Sequence, residues 1–180
     1  MSLPPAAVIE AWLGELGLAP LEHAERDGVH SWDLLLDGLR RPDIRLTLIL
    51  DPARVLLLWV HFAPPINDAF RVSYRQFLRW NDELPFVKFA LSEDERPVLA
   101  SELVDVADRD ALGVAIVRLL AVCDLTFERA LVWLVPGARE VPAMPRASRQ
   151  AELYRRYAAD LAELLGAGNG APPALSDDRS

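Results

Sequence analysis

Hydrophobic positions change their period along the chain, and those changes predict its elements. From Pro4 to Leu18 the residues Val8, Ile9, Trp12, Leu13 and Leu16 recur at helical spacing, with Pro4-Pro5 to open a helix and Gly17 to close it. Three runs of strand length follow, His30 to Leu36, Ile44 to Leu50 and Val55 to Phe62. They are separated by the turn residues Asp37-Gly38, Arg41-Pro42-Asp43 and Asp51-Pro52, so they are expected to form an antiparallel meander. The third run is apolar almost throughout, the pattern of an interior strand buried on both faces. Asn67 or Asp68 can cap a helix reaching Glu83, with Phe70, Tyr74, Phe77, Leu78 and Asn81 on its apolar face and Arg71, Arg75 and Arg79 opposite. Phe86 to Leu91 and Pro97 to Leu103 flank an acidic turn and predict a second hairpin. Leu112, Ala115, Ile116, Leu119, Leu120, Cys123, Phe127 and Leu134 keep a period near 3.6 behind Asp108 or Asp110, predicting a long core-lining helix.

This order, α-β-β-β-α-β-β-α, predicts an α+β fold of two layers, a five-stranded antiparallel sheet packed with helices. The domain is expected over 1–135. A proline-rich connector, 136–146, leads to an appended amphipathic helix over 147–166, and a polar, glycine-containing tail fills 167–180. The apolar stripe of the appended helix, Tyr154, Tyr157, Ala158, Leu161, Leu164 and Leu165, must be covered by its own sheet or by a second subunit, because an isolated helix of that length is marginal in water.

Composition narrows the function. The 180 residues are 52% hydrophobic, enough for one domain with a sizeable core. A net charge of -8 argues against a nucleic-acid or anionic-membrane binder, both of which are met by clustered positive charge. All of that charge lies before residue 136, since bases and acids balance beyond it. One cysteine, Cys123, leaves no intramolecular disulfide. With no basic leader and no apolar span, the expectation is a cytoplasmic protein without membrane insertion.

The segment Leu78-Arg79-Trp80-Asn81-Asp82-Glu83-Leu84-Pro85-Phe86-Val87-Lys88-Phe89-Ala90-Leu91 resembles the YbjN-like family where its second helix gives way, through an Asn and a Pro, to a strand containing Phe-Val-Lys-Phe. Pro97 to Leu103 resembles the strand after it, and the likeness covers roughly Val8 to Leu134. The element order is also similar to that of type III secretion chaperones of the Tir-chaperone kind. The resemblance implies a fold and a function class: a regulator of sensory transduction or a chaperone-like, peptide-binding protein. It carries no catalytic motif.

Candidate chemistry is sparse. Arg71, Arg75 and Arg79, one turn apart, can bind carboxylate or phosphate, or else form a solvated face paired with acids such as Asp68, Asp82 and Glu83. Lys88, the one lysine, lies in an apolar strand. It is either a solvent-side charge, paired for instance with Glu102, or a buried amine of depressed pKa suited to nucleophilic chemistry. Trp80 falls off the predicted apolar stripe and is expected as a partly exposed contact residue. His23, His30 and His61 have no ligand spacing, Cys123 sits on a core stripe, and neither a metal nor a cofactor is expected. The reading favoured is a non-catalytic protein- or peptide-binding module, a homodimer acting on a protein client. The alternative is a small anionic ligand binder or enzyme using the arginine stripe with Lys88.

Overall fold

A computed structural model describes residues 3–51, 55–61, 74–84, 86–94, 96–134 and 148–167. The elements are α1 (Ala6–Glu15), β1 (Glu22–Arg26), β2 (Val29–Leu36), β3 (Ile44–Asp51), β4 (Val55–His61), α2 (Tyr74–Glu83), β5 (Lys88–Leu91), β6 (Pro97–Leu103), α3 (Arg109–Leu134), α4 (Ala151–Arg156) and α5 (Ala158–Ala167). Among the described residues the sheet has six strands in the order β1-β2-β3-β4-β6-β5, every neighbouring pair antiparallel. The expected count of five is therefore one short. The missed strand, Glu22-His23-Ala24-Glu25-Arg26, is exposed at all five positions, so no apolar alternation marks it. Its signal is Asp27-Gly28, a two-residue turn between Arg26 and Val29 with φ of 54° and 79°, the left-handed pair that matches the twist of a hairpin.

Alternation assigns the two faces. Trp32, Leu34 and Leu36 of β2, Ile44, Leu46, Leu48 and Leu50 of β3, and Leu56, Leu58 and Val60 of β4 are all buried. They form one core with Ile9 and Leu13 of α1, Phe77 and Trp80 of α2, and Leu112, Ile116, Leu119, Leu120 and Cys123 of α3. β4 lies inside the sheet, as its composition predicts, but buries only alternate residues fully. α1 ends at Gly17, whose φ of 71° lets the Leu18 N–H return to the Leu13 carbonyl at 2.8 Å. Asp108 caps α3 by accepting from the Ala111 N–H at 2.8 Å.

The appended segment docks in cis and is broken: α4 stops at Arg156 and α5 begins at Ala158. Leu153, Tyr154, Tyr157 and Leu161 join the core. α3 is notched to receive them at Gly113, where a Cβ would lie 2.5 Å from ring atoms of Tyr157. The Tyr157 hydroxyl donates to Asp110 at 2.8 Å.

Packing is also polar. The buried Asp37 accepts from the Arg149 N–H at 2.9 Å, Arg149 Nε at 3.1 Å, Arg149 Nη2 at 2.7 Å and the Asp43 N–H at 3.1 Å, while its carbonyl accepts from the Tyr154 hydroxyl at 3.0 Å. Burial opposes ionisation, but the Arg149 and Asp43 donors outweigh it and hold the carboxyl down at about 2. Asp124 of α3 clamps the same loop by accepting from the N–H groups of Leu39 and Arg40. Gly38 is the residue that fits beneath it, since a Cβ there would meet the carboxylate at 2.5 Å.

Candidate functional site

The second face of the sheet carries a different surface. In register across it lie Asp33, Thr47, Trp59, Ala100 and Lys88; beside that row lie Ser31, Ile49, Leu57 and Glu102, and on the other flank Leu35, Val98 and Ala90. Strand alternation places these side chains opposite the helices. Leu35, Ile49, Leu57 and Trp59 are all partly exposed, and none of them belongs to the core cluster. The apolar band is thus Ile49, Leu57 and Trp59 on β3 and β4, running toward Ala100 of β6, while Leu35 stands apart, opposite Arg45 and beyond the Asp33–Thr47 pair.

Its border is polar and ordered. Arg45 Nη2 donates to Asp33, and the Thr47 hydroxyl donates to the other Asp33 oxygen at 2.6 Å. Burial works against ionisation of Asp33, but these donors prevail and leave its pKa lowered. Lys88 and Glu102 are exposed at the far side of the band. An apolar centre ringed by fixed polar groups is the anatomy of a protein-contact surface.

The residues singled out from the sequence do not converge. Arg71 lies outside the described residues. Arg75 and Arg79 are exposed on successive turns of α2, and among the described residues they have no ion-pair partner, so the expected pairing with Asp82 or Glu83 is not made. Lys88 is exposed and donates to the Asn81 carbonyl at 2.6 Å rather than pairing with Glu102 or turning to the covered side.

Trp80 corrects the expectation outright, for it is 2% exposed. Its ring packs with Phe77 and Phe89 at centroid distances of 5.7 and 5.2 Å. α2 turns Phe77 and Trp80 inward, with Leu84 just beyond its end packed on the same core, and leaves Leu78 65% exposed, a rotation of the predicted stripe. Cys123 is fully buried as expected, and burial pushes its thiol up to about 11, which keeps it protonated and unreactive.

Two features escaped the sequence. Asn81 closes the edge of β5: its Oδ1 accepts from the Phe89 N–H at 2.6 Å and its Nδ2 donates to the Phe89 carbonyl at 3.0 Å. At the opposite edge His23 stacks on Trp32 at 5.0 Å, and its Nε2 lies 3.4 Å from His30 Nδ1. That pair is hidden until β1 is known to pair with β2. Among the described residues no group of three or more His, Cys, Asp or Glu is placed to hold a metal, and no helix is long and apolar enough to cross a membrane.

Comparison with known proteins agrees with the resemblance carried by residues 78–91. A family model matches residues 5–131, from α1 to near the end of α3; its description is "Putative bacterial sensory transduction regulator". Neither curated proteins nor solved structures yield a match. The matched segment contains the six strands seen among the described residues and stops before α4 and α5. By that match over more than half its length, the chain belongs to the YbjN family.

Proposed function

We propose that the chain is a protein-binding regulator that works by contact and without chemistry of its own. The contact surface is the second sheet face, centred on Ile49, Leu57 and Trp59 and oriented by the Asp33–Arg45–Thr47 group. The observation carrying this reading is the apolar band itself, partly exposed while the opposite face is sealed by helices. The client is a protein segment presenting apolar side chains to the band and hydrogen-bonding groups to its rim. Membership of a family described as regulatory supports the class of function.

The test uses the wild-type chain and the double variant Ile49→Glu, Leu57→Glu. Proteins retained from native lysate by the wild type are purified and titrated against both. Binding to the wild type that falls by about a hundredfold in the variant is expected, because two carboxylates must then be buried at the contact centre. Equal binding by both proteins removes the sheet face from the reading, and a wild type that binds nothing removes the reading altogether.

A second reading rests on Arg75 and Arg79, two exposed guanidiniums on adjacent turns without acidic partners among the described residues. They suit a phosphate or carboxylate. Stabilisation by inorganic phosphate that is abolished in Arg75→Ala, Arg79→Ala supports that site, and the same shift in wild type and variant eliminates it.

A further inference from the structure

The two edges of the sheet are treated differently, and the difference points to a partner. β5 is closed to strand addition because Asn81 occupies both outward-facing groups of Phe89, and the Val87 N–H donates to the Leu84 carbonyl at 3.3 Å. Among the described residues β1 has no such cover. There it pairs with β2 alone, stands at the end of the strand order and is exposed along its whole length. We infer that β1 is a self-association edge, which adds the β1 strand of a second copy of this chain in antiparallel register across a two-fold axis at Ala24.

The register follows from hydrogen-bond parity. A two-residue turn closes on a hydrogen-bonded pair, here Arg26 with Val29, and bonding alternates along an antiparallel ladder. The inward-bonding residues of β1 are therefore Arg26, Ala24 and Glu22. The main-chain groups of His23 and Glu25 point outward. A second strand must pair through these, and three registers are possible. One opposes His23 to its own copy and leaves Glu25 unmatched. Another opposes Glu25 to its own copy, carboxylate against carboxylate. The third places His23 opposite Glu25 of the second copy, twice, and exchanges about four ladder hydrogen bonds.

Only in this third register do the remaining side chains match. Glu22 falls opposite Arg26 of the second copy and Arg26 opposite Glu22, both pairs at the closer, non-hydrogen-bonded spacing, while the small Ala24 meets itself on the axis. Arg26 is free to do so: its carboxylate partner within the chain is the neighbouring Asp27 at 3.7 Å, with both side chains over 90% exposed. Charged residues on an edge ordinarily repel an incoming strand. Here the sequence Glu-His-Ala-Glu-Arg is complementary to its own reverse, so its charges select one partner, a second copy. Face parity is kept as well. Glu22, Ala24 and Arg26 lie on the same side as Ile49 and Leu57, so the partly exposed faces of the two copies become one continuous surface.

Five residues a side make a small contact, and association is accordingly weak and concentration-dependent. The test is sedimentation equilibrium of the full chain from micromolar to about 0.5 mM, for the wild type, Glu22→Arg, Arg26→Glu and the double swap. Each single variant opposes like charges twice and is expected to weaken the dimer roughly ten- to a hundredfold. The double swap restores opposite charges and returns the wild-type constant. Both substitutions are at exposed positions, and circular dichroism checks that each variant is folded. A wild type that remains monomeric throughout overturns the inference, as does a dimer indifferent to the single changes or one that the double swap fails to rescue.

Discussion

Gly113→Ala ought to stabilise an ordinary helix, and here it is expected to do the opposite. Replacing a mid-helix glycine by alanine contributes about 1 kcal/mol through backbone entropy. At Gly113, however, the new methyl would lie 2.4 Å from the Tyr157 hydroxyl oxygen and 2.5 Å from Cε2 and Cζ. An ordinary contact needs more than an ångström of additional room, and Tyr157 is only 5% exposed, so the ring must swing out. Partial loss of its burial costs about 1 to 2 kcal/mol, and loss of its hydrogen bond to the Asp110 carboxylate about 1 to 2 kcal/mol more. After subtracting the helix gain, the variant is destabilised by about 1 to 3 kcal/mol.

The decisive measurement is a double-mutant cycle by urea denaturation over wild type, Gly113→Ala, Tyr157→Ala and the pair. With Tyr157 truncated the obstruction is gone, and Gly113→Ala should turn stabilising by about 1 kcal/mol. The sign of one substitution thus reverses with the identity of a residue in another element. Should Gly113→Ala stabilise the wild-type chain, Tyr157 does not sit in the notch and the cis docking of α4 and α5 is refuted.

Other outcomes follow from the same packing. Asp37 falls from the ordinary aspartate value of about 3.9 to about 2 on folding, so its ionisation contributes about 2 kcal/mol above pH 4, lost as pH falls through 2; Arg149→Ala should remove most of that acid-side slope in denaturation curves. Asp124 behaves in the opposite sense, because burial raises its pKa: its contribution is present at low pH and declines as pH rises through its folded value, and Asp124→Asn should flatten that decline in the same curves. Trp80→Ala should cost about 3 to 5 kcal/mol in chemical denaturation, against less than about 0.5 kcal/mol for Arg75→Ala or Arg79→Ala. Asn81→Ala frees both main-chain groups of Phe89, and amide exchange at Phe89 should accelerate by about tenfold or more while the β3–β4 ladder keeps its protection.

Amphipathic periodicity was sufficient for α1, α3 and strands β2, β3, β4 and β6, because each has a buried side dense enough to impose its period on the sequence. The family was legible too, in the short run from Leu78 to Leu91. The limits of that reading have equally physical causes. β1 buries nothing, so it leaves no hydrophobic trace beyond its Asp-Gly turn. The faces of α2 depend on where β5 stops it from rotating, and Trp80, off the predicted stripe, is the residue that fills the space between Phe77 and Phe89. Gly38 and Gly113 look like a turn and a weak helix position, yet each makes room for a side chain far away along the chain, Asp124 and Tyr157 respectively. The sequence by itself determined which residues alternate and therefore what each element must bury. The tertiary structure decided which side of the sheet the helices cover, which edge stays open, and that the appended helix returns to its own domain, since those choices depend on contacts between residues that no local pattern brings together.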